Sequence, residues 1–173
     1  MSWQIDTVHS SIEFSARHMM ISKARGKFGK FSGTISLDEA NPTATTVDIS
    51  IDAASIDTGV ADRDGHLRSP DFLDTEHYPT LNFQSTKVEL TDDNSAKLYG
   101  NLTIRGITNP IVLDVEYAGK SKNPWGQTIA GFSGKTKIKR SNWNLVWNAI
   151  LETGGVAVSD DVTIEIELEV VQQ

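Results

Sequence analysis

The sequence predicts an all-β protein, a barrel or a sandwich of about eight short antiparallel strands, and three observations carry that reading. Apolar residues recur with a period of two along most of the chain. Clusters of Asn, Asp, Gly and Pro separate the periodic runs at hairpin spacing. Several glycines fall inside or beside the runs rather than between them. Alternation marks strands with one buried and one wet face, which is the pattern of antiparallel sheets. Glycine within a strand marks a bulge or a tight corner, and strong bending favours closure, so the barrel is preferred to the sandwich.

Each run follows from its own residues. In "SIEFSARH", Ile12, Phe14, Ala16 and His18 alternate with Ser11, Glu13, Ser15 and Arg17. In "TVDISIDA", Val47, Ile49 and Ile51 alternate with Asp48, Ser50 and Asp52. "TLNFQSTKVEL" starts on Leu81 and Phe83, slips, and resumes on Val88 and Leu90. "KLYGNLTIRG" offers Leu98, Leu102 and Ile104 around Gly100, and "IVLDVEYAG" offers Ile111, Leu113, Val115 and Tyr117. "VTIEIELEV" sets Val162, Ile164, Ile166, Leu168 and Val170 against Thr163, Glu165, Glu167 and Glu169. "DEANPT", "TDDN", "RGITNP" and "GKSKNPWG" supply the turns. If "KTKIK" (135–139) lies beside "TIEIELE" (163–169), a Lys/Glu ladder follows on the outer face.

Composition bounds the function. The 173 residues suit one domain, 1–173, that buries a real core. A net charge of −7 disfavours nucleic acid as the main partner. Cysteine is absent, which removes disulfides, thiolate metal sites and cysteine nucleophiles. No apolar run is long enough to span a membrane. The start, "MSWQIDTVHSSIEF", has no basic opening followed by an apolar run, so a cytoplasmic location is expected.

The densest cluster of chemistry is "ADRDGHLRSPDFLDTEHYPT" (61–80), with His66, His77, Asp62, Asp64, Asp71, Asp74, Glu76, Arg63 and Arg68. Its histidines are eleven apart, outside any zinc spacing, and the calcium-loop pattern is incomplete, so no metal is expected. No G-x-S-x-G elbow occurs, and His9 near Ser10, Ser11 and Asp6 is too common a grouping to mark a triad. The better reading is a short helix or turn near 62–73, broken at Pro70, with Leu67, Phe72 and Leu73 facing inward. It would frame one end of a barrel, held by an arginine–carboxylate pair at Arg63 or Arg68. The basic runs "SKARGKFGKF" and "KTKIKR" are solvated strand faces or a rim that meets an anionic head group or membrane surface. In "SNWNLVWNAILETGGVAVSDDV", Trp143, Leu145, Trp147, Ile150 and Leu151 are core residues or the lining or lid of an apolar cavity.

Taken together, "WQIDTVHSSIEFSARHM", "RGKFGKFSGTI", "SIDTGVADRDGHLRSPDFLD", "HYPTLNFQST", "GNLTIRGITNPIVLDV" and "WNLVWNAILETGGVAVSDDVTIEIELE" resemble the YceI-like, or polyisoprenoid-binding, family from Trp3 to about Glu169. Asn109 stands where family members often carry a basic residue. The resemblance implies a lipocalin-like, extended eight-stranded antiparallel barrel, commonly a homodimer, whose pore holds an isoprenoid or similar long-chain lipid. It implies a non-catalytic binder without cofactor. On that reading Ile12, Phe14, Phe28, Phe31, Phe83, Leu102 and Phe132 sheath the lipid tail. Phe72, Trp143 and Trp147 close or frame the cavity, and His18, Arg63 and His66 make polar contacts near a mouth. The rival is an enzyme of isoprenoid or quinone metabolism in the same pocket, with His66 or His18 as acid/base.

Overall fold

The computed structural model describes residues 2–19, 21–148 and 158–173. Ile150, Leu151 and the "TGG" interruption lie outside the described residues. Eleven strands fall within them: β1 (Ser2–Ile5), β2 (Ser11–His18), β3 (Ser22–Phe28), β4 (Phe31–Ser36), β5 (Thr46–Asp52), β6 (Ile56–Asp57), β7 (Thr80–Leu90), β8 (Ser95–Ile104), β9 (Ile107–Lys122), β10 (Thr128–Lys139) and β11 (Val158–Gln172). One α-helix, α1 (Ala61–Arg68), interrupts them.

The sheet closes through β1–β4–β5–β7–β8–β9–β10–β11 and back to β1, an eight-stranded antiparallel barrel. The three extra strands are pieces of long, broken ones. β2 continues the line of β1 along β11, β3 runs on into β4, and β6 extends β5. Each break has a local cause. After β1, Asp6 Oδ1 accepts the backbone N–H groups of Val8 and His9 and turns the chain out of the ladder. After β5, the Asp52 carboxylate caps a single 3₁₀ turn through the Ala54 N–H. Between β3 and β4, the Gly29 N–H leaves the barrel ladder and donates to the Ser55 carbonyl.

The inward residues are those of the predicted alternation. Along β5 the buried positions are Val47, Ile49 and Ile51, with Phe83 beside Ile49 on β7, and they share one buried cluster with Leu102 and Leu113. Four of the glycines, Gly26, Gly33, Gly100 and Gly106, are sites of close approach. A Cβ on Gly26 would collide with the Phe14 ring, and one on Gly100 with the Phe83 ring. Each aromatic ring occupies the space that a side chain on the neighbouring strand would need, so a larger residue there would force the ring to move. On the outer face β10 and β11 are neighbours, as the charge alternation requires. Lys135 sits opposite Glu165 at 3.6 Å and Lys139 opposite Asp161 at 3.1 Å, while Lys137 faces Thr163.

Antiparallel alternation sends the connections to two ends. Residues 19 and 21, the 53–79 and 105–106 links and residues 140–148 gather at one end, the cap end. The 37–45, 91–94 and 123–127 links gather at the other, the turn end, with both termini.

Candidate functional site: an apolar cavity under the α1 segment

The barrel encloses a cavity of about 690 Å³. Its wall is aliphatic and aromatic, with Phe14, Phe28, Ile49, Phe83, Leu102, Val115, Phe132 and Ile164 among the lining residues. Most of its polar lining sits at the ends. Glu39, Asp92, Asp93, Asn94 and Ser95 surround the turn end, and Arg140 lies at the cap end. Lys120 pairs with Glu39 at 3.0 Å across the turn end. Burial raises the Tyr117 phenol above its ordinary range, so this lining residue stays protonated.

The cap is built by the sequence around Pro70. Ser69 takes an extended backbone (φ −75°, ψ 169°), as a residue before proline must, and α1 ends there. The chain turns back so that Leu67, Phe72 and Leu73 close the cavity. Buried Asp64 accepts from both the Thr58 backbone N–H (2.8 Å) and the Thr58 hydroxyl. The Thr58 hydroxyl bond holds the Asp64 carboxyl below its ordinary range against the opposing effect of burial. The expected arginine–carboxylate clamp is replaced by arginine–carbonyl bonds. Arg63 donates to the Thr58 hydroxyl and carbonyl, and Arg68 to the carbonyls of Ala54 and Ile56. The loop runs beside strand ends whose carbonyls have left the ladder, and a planar fork of donors satisfies them.

Two arginines in the cap were not singled out by sequence. Arg105, at the β8–β9 turn, donates to the Phe72 carbonyl at 3.0 Å and ties the cap to the barrel wall. Arg140 is buried and gives its guanidinium to the carbonyls of Leu145, Trp147, Val158 and Ser159. Burial pushes its pKa down, opposed by the nearby Asp160 carboxylate. The signal for Arg140 was present. In "KTKIKR" it falls on the phase of inward Ile138, not on that of the exposed lysines.

Of the residues singled out by sequence, Ile12, Phe14, Phe28, Phe72, Phe83, Leu102 and Phe132 line the cavity. The others stand elsewhere. Phe31 is buried in the core and is not part of the cavity lining. Trp143 is buried behind the wall and donates from Nε1 to the Leu102 carbonyl at 2.9 Å. Trp147 and His66 back the cap instead of lining it. The His66 ring meets Trp147 edge-on at 4.5 Å and Phe72 at 5.1 Å between centroids, and its Nε2 lies 2.9 Å from Asp71. Arg63 is spent on Thr58, away from the cavity lining. His18 is exposed at the end of β2, opposite Val158 of β11, and stands outside the lining.

The histidines of the 61–80 segment pair separately, His66 with Asp71 and His77 with Asp74. Among the described residues, Asp6, His9 and Glu169 form a three-residue group whose ligand atoms lie within 4.8 Å of one another. Its geometry is that of the β1–β2 break. Asp6 holds the turn with Oδ1 and the His9 Nδ1 with Oδ2 at 2.8 Å.

A closed antiparallel barrel with an apolar interior and a helical cap defines a class of cavity proteins. Within it, residues 3–170 match the YceI-like domain, and the chain belongs to that family. It is 38% identical to protein YceI of Escherichia coli O157:H7 over 165 residues, covering 95% of this chain and 83% of that protein. It is 39% identical to a UPF0312 protein of Vibrio cholerae serotype O1 over 143 residues, 82% of this chain and 76% of the other. Among solved structures, Burkholderia cenocepacia BcnA superposes with a TM-score of 0.84 at 26% identity, over 95% of this chain and 98% of that one. A Campylobacter jejuni YCEI protein gives 0.78 at 34% identity, over 91% and 90% of the two chains. A polyisoprenoid-binding domain from Saccharophagus degradans, implicated in plant cell wall breakdown, gives 0.72 at 16% identity over 99% and 98%, a likeness of fold. No helix among the described residues is long and apolar enough to cross a membrane.

Proposed function

We propose that this protein binds an isoprenoid or similar long-chain amphiphile in the barrel cavity and carries it without chemical change. The observation that carries the reading is the capped cavity of about 690 Å³, whose wall is aliphatic and aromatic along the barrel. Such a wall gains about 0.8 kcal/mol for each CH₂ it takes from water, and ordering the tail offsets part of that. The polyisoprenoid-binding neighbour has the same fold and supports the ligand class. The rival enzyme reading needs an acid/base in the cavity, and both His18 and His66 stand outside its lining. A homodimer in the cytoplasm belongs to the same reading and is tested by light scattering and cell fractionation.

The deciding experiment is organic extraction of the purified, folded protein, read by mass spectrometry beside a mock purification and beside Ile164→Trp, which narrows the cavity at a lining position. A stoichiometric isoprenoid in the wild type, reduced in the variant and absent from the mock, is the expected result. Equal lipid in all three preparations, or none in the wild type, overturns the reading.

A further inference from the structure

The β2–β3 hairpin sits oddly on an acidic protein. Its outer strand is a free edge: β3 pairs with β6 only at Lys27 and Phe28, so residues 22–26 have β2 alone as a ladder partner, while β2 stays on β11 as far as His18 opposite Val158. At the tip Ile21 is 86% exposed and Met19 is 40% exposed. Beside them the register sets Arg17 opposite Lys23 and Ser15 opposite Arg25. Alternation against inward Ala16, Ala24 and Gly26 turns these three cations to the outer face, where all are exposed. Lys27 and Lys30 continue the run toward the barrel. None of the five makes an ion pair with a described residue. The acidic neighbours on this face, Glu13 and Asp57 opposite Lys27 and Glu165 opposite Glu13, lie away from the tip.

A chain of net charge −7 thus concentrates unpaired cations around two exposed apolar side chains. We infer that the β2–β3 hairpin docks the protein on an anionic phospholipid surface, with Met19 and Ile21 entering the interface and Arg17, Lys23 and Arg25 meeting the head groups. Charge complementarity selects this occupant. Arginine and lysine close to an anionic leaflet each add attraction, and a short apolar tip adds insertion. The rest of the cap end is not complementary, since its 53–79 link carries Asp62, Asp71 and Glu76. The contact is therefore tilted, hairpin first. The opposite end, with Asp92 and Asp93 at its rim, is repelled from the same surface even though Trp125 there is 80% exposed. This docking does not depend on what the cavity holds.

The test is sedimentation with vesicles of phosphatidylcholine alone or with about one third phosphatidylglycerol, at low and high salt. Wild-type protein is expected to bind the anionic vesicles, to ignore the neutral ones and to lose binding as salt rises. Lys23→Glu/Arg25→Glu and, separately, Ile21→Asp are expected to cut binding at least about tenfold. Lys135→Glu/Lys137→Glu makes the same charge change elsewhere and should lower it far less, and Trp125→Ala should leave it unchanged. The inference is overturned by a wild type that does not bind anionic vesicles, or by hairpin variants no weaker than the charge-matched control. Loss of binding in Trp125→Ala assigns the contact to the other end and also overturns it. So does a change of oligomeric size in the hairpin variants with vesicle binding intact, which would make the hairpin a contact between copies of this chain.

Discussion

Trp3 and Trp143 are both buried to within 1% exposure, yet their indole N–H groups fare differently. Trp143 Nε1 donates to the Leu102 carbonyl, whereas Trp3 Nε1 has no partner among the described residues. A buried donor left unpaired costs about 1–3 kcal/mol, and a made bond is worth about 1 kcal/mol. Replacement by Phe deletes a similar ring volume at both sites, so the difference between the variants isolates the N–H. Trp3→Phe is expected to be more stable than Trp143→Phe by about 2 kcal/mol in urea unfolding; equal values would mean that the Trp3 donor is satisfied. His9 offers a residue-scale test in pH. The Asp6 carboxylate, first by its hydrogen bond and then by its charge, raises the His9 pKa above the ordinary imidazole range, and Glu169 adds to this. A raised folded-state pKa means that the pair stabilises the fold fully below the unfolded imidazole pKa, and that this is lost as pH rises through the raised value. An NMR titration should place His9 above the ordinary imidazole range, and Asp6→Asn should bring it back down. Neither residue pattern was legible beforehand, because a hydrogen-bond partner 41 positions away, or a strand break, leaves no mark on local periodicity.

At the scale of elements, alternation located the strands and their inward faces, since a half-buried strand has to alternate. It did not locate the breaks at 6–10, 29–30 and 53–55, which depend on an aspartate accepting local backbone N–H groups or on a glycine. The helix at 61–68 was legible through Pro70, which fixes its end, but not through its apolar content. The β8–β9 turn joins both kinds of information. Arg105 and Gly106 have φ of 52° and 73°, a two-residue hairpin of the type that prefers Asn-Gly. Arginine is a poor choice for that backbone, and its bond to the Phe72 carbonyl accounts for its presence. Arg105→Asn improves the turn and unties the cap at once. Its stability is expected within about 1 kcal/mol of wild type, because the two effects oppose. A bound fluorescent polyene should dissociate several times faster from it in stopped-flow displacement. An unchanged rate would show that the cap does not gate exit.

At the scale of the whole molecule, closure converts a row of strand faces into a measured length. The inward residues of β11 that line the cavity run from Val158 to Leu168. Ten residues at ~3.3 Å each, on strands tilted by about 40°, span roughly 25 Å along the barrel axis. Closure of the barrel was legible from alternation plus glycine bending and the pore was implied by the family resemblance, but the cavity's end was not legible. The end is set by Phe72, Leu73 and Leu145, which reach the axis only because Arg68, Arg105 and Arg140 satisfy the carbonyls of the links that carry them. A cavity of fixed length that binds tails makes a graded prediction for a series of alcohols of increasing isoprene number. Affinity should rise with each added unit by an amount bounded by about fourfold per buried carbon. It should stop rising once the extended tail exceeds roughly 25 Å, because further carbons remain in water or must fold back against the cap. Shortening the cavity with Leu113→Trp should move that plateau to shorter chains while leaving the affinity of the shortest members nearly unchanged. Calorimetry across the series measures both slope and plateau. A slope that continues past the barrel length would place the tail outside the cavity, along the surface, and a flat response would remove tail burial as the source of affinity.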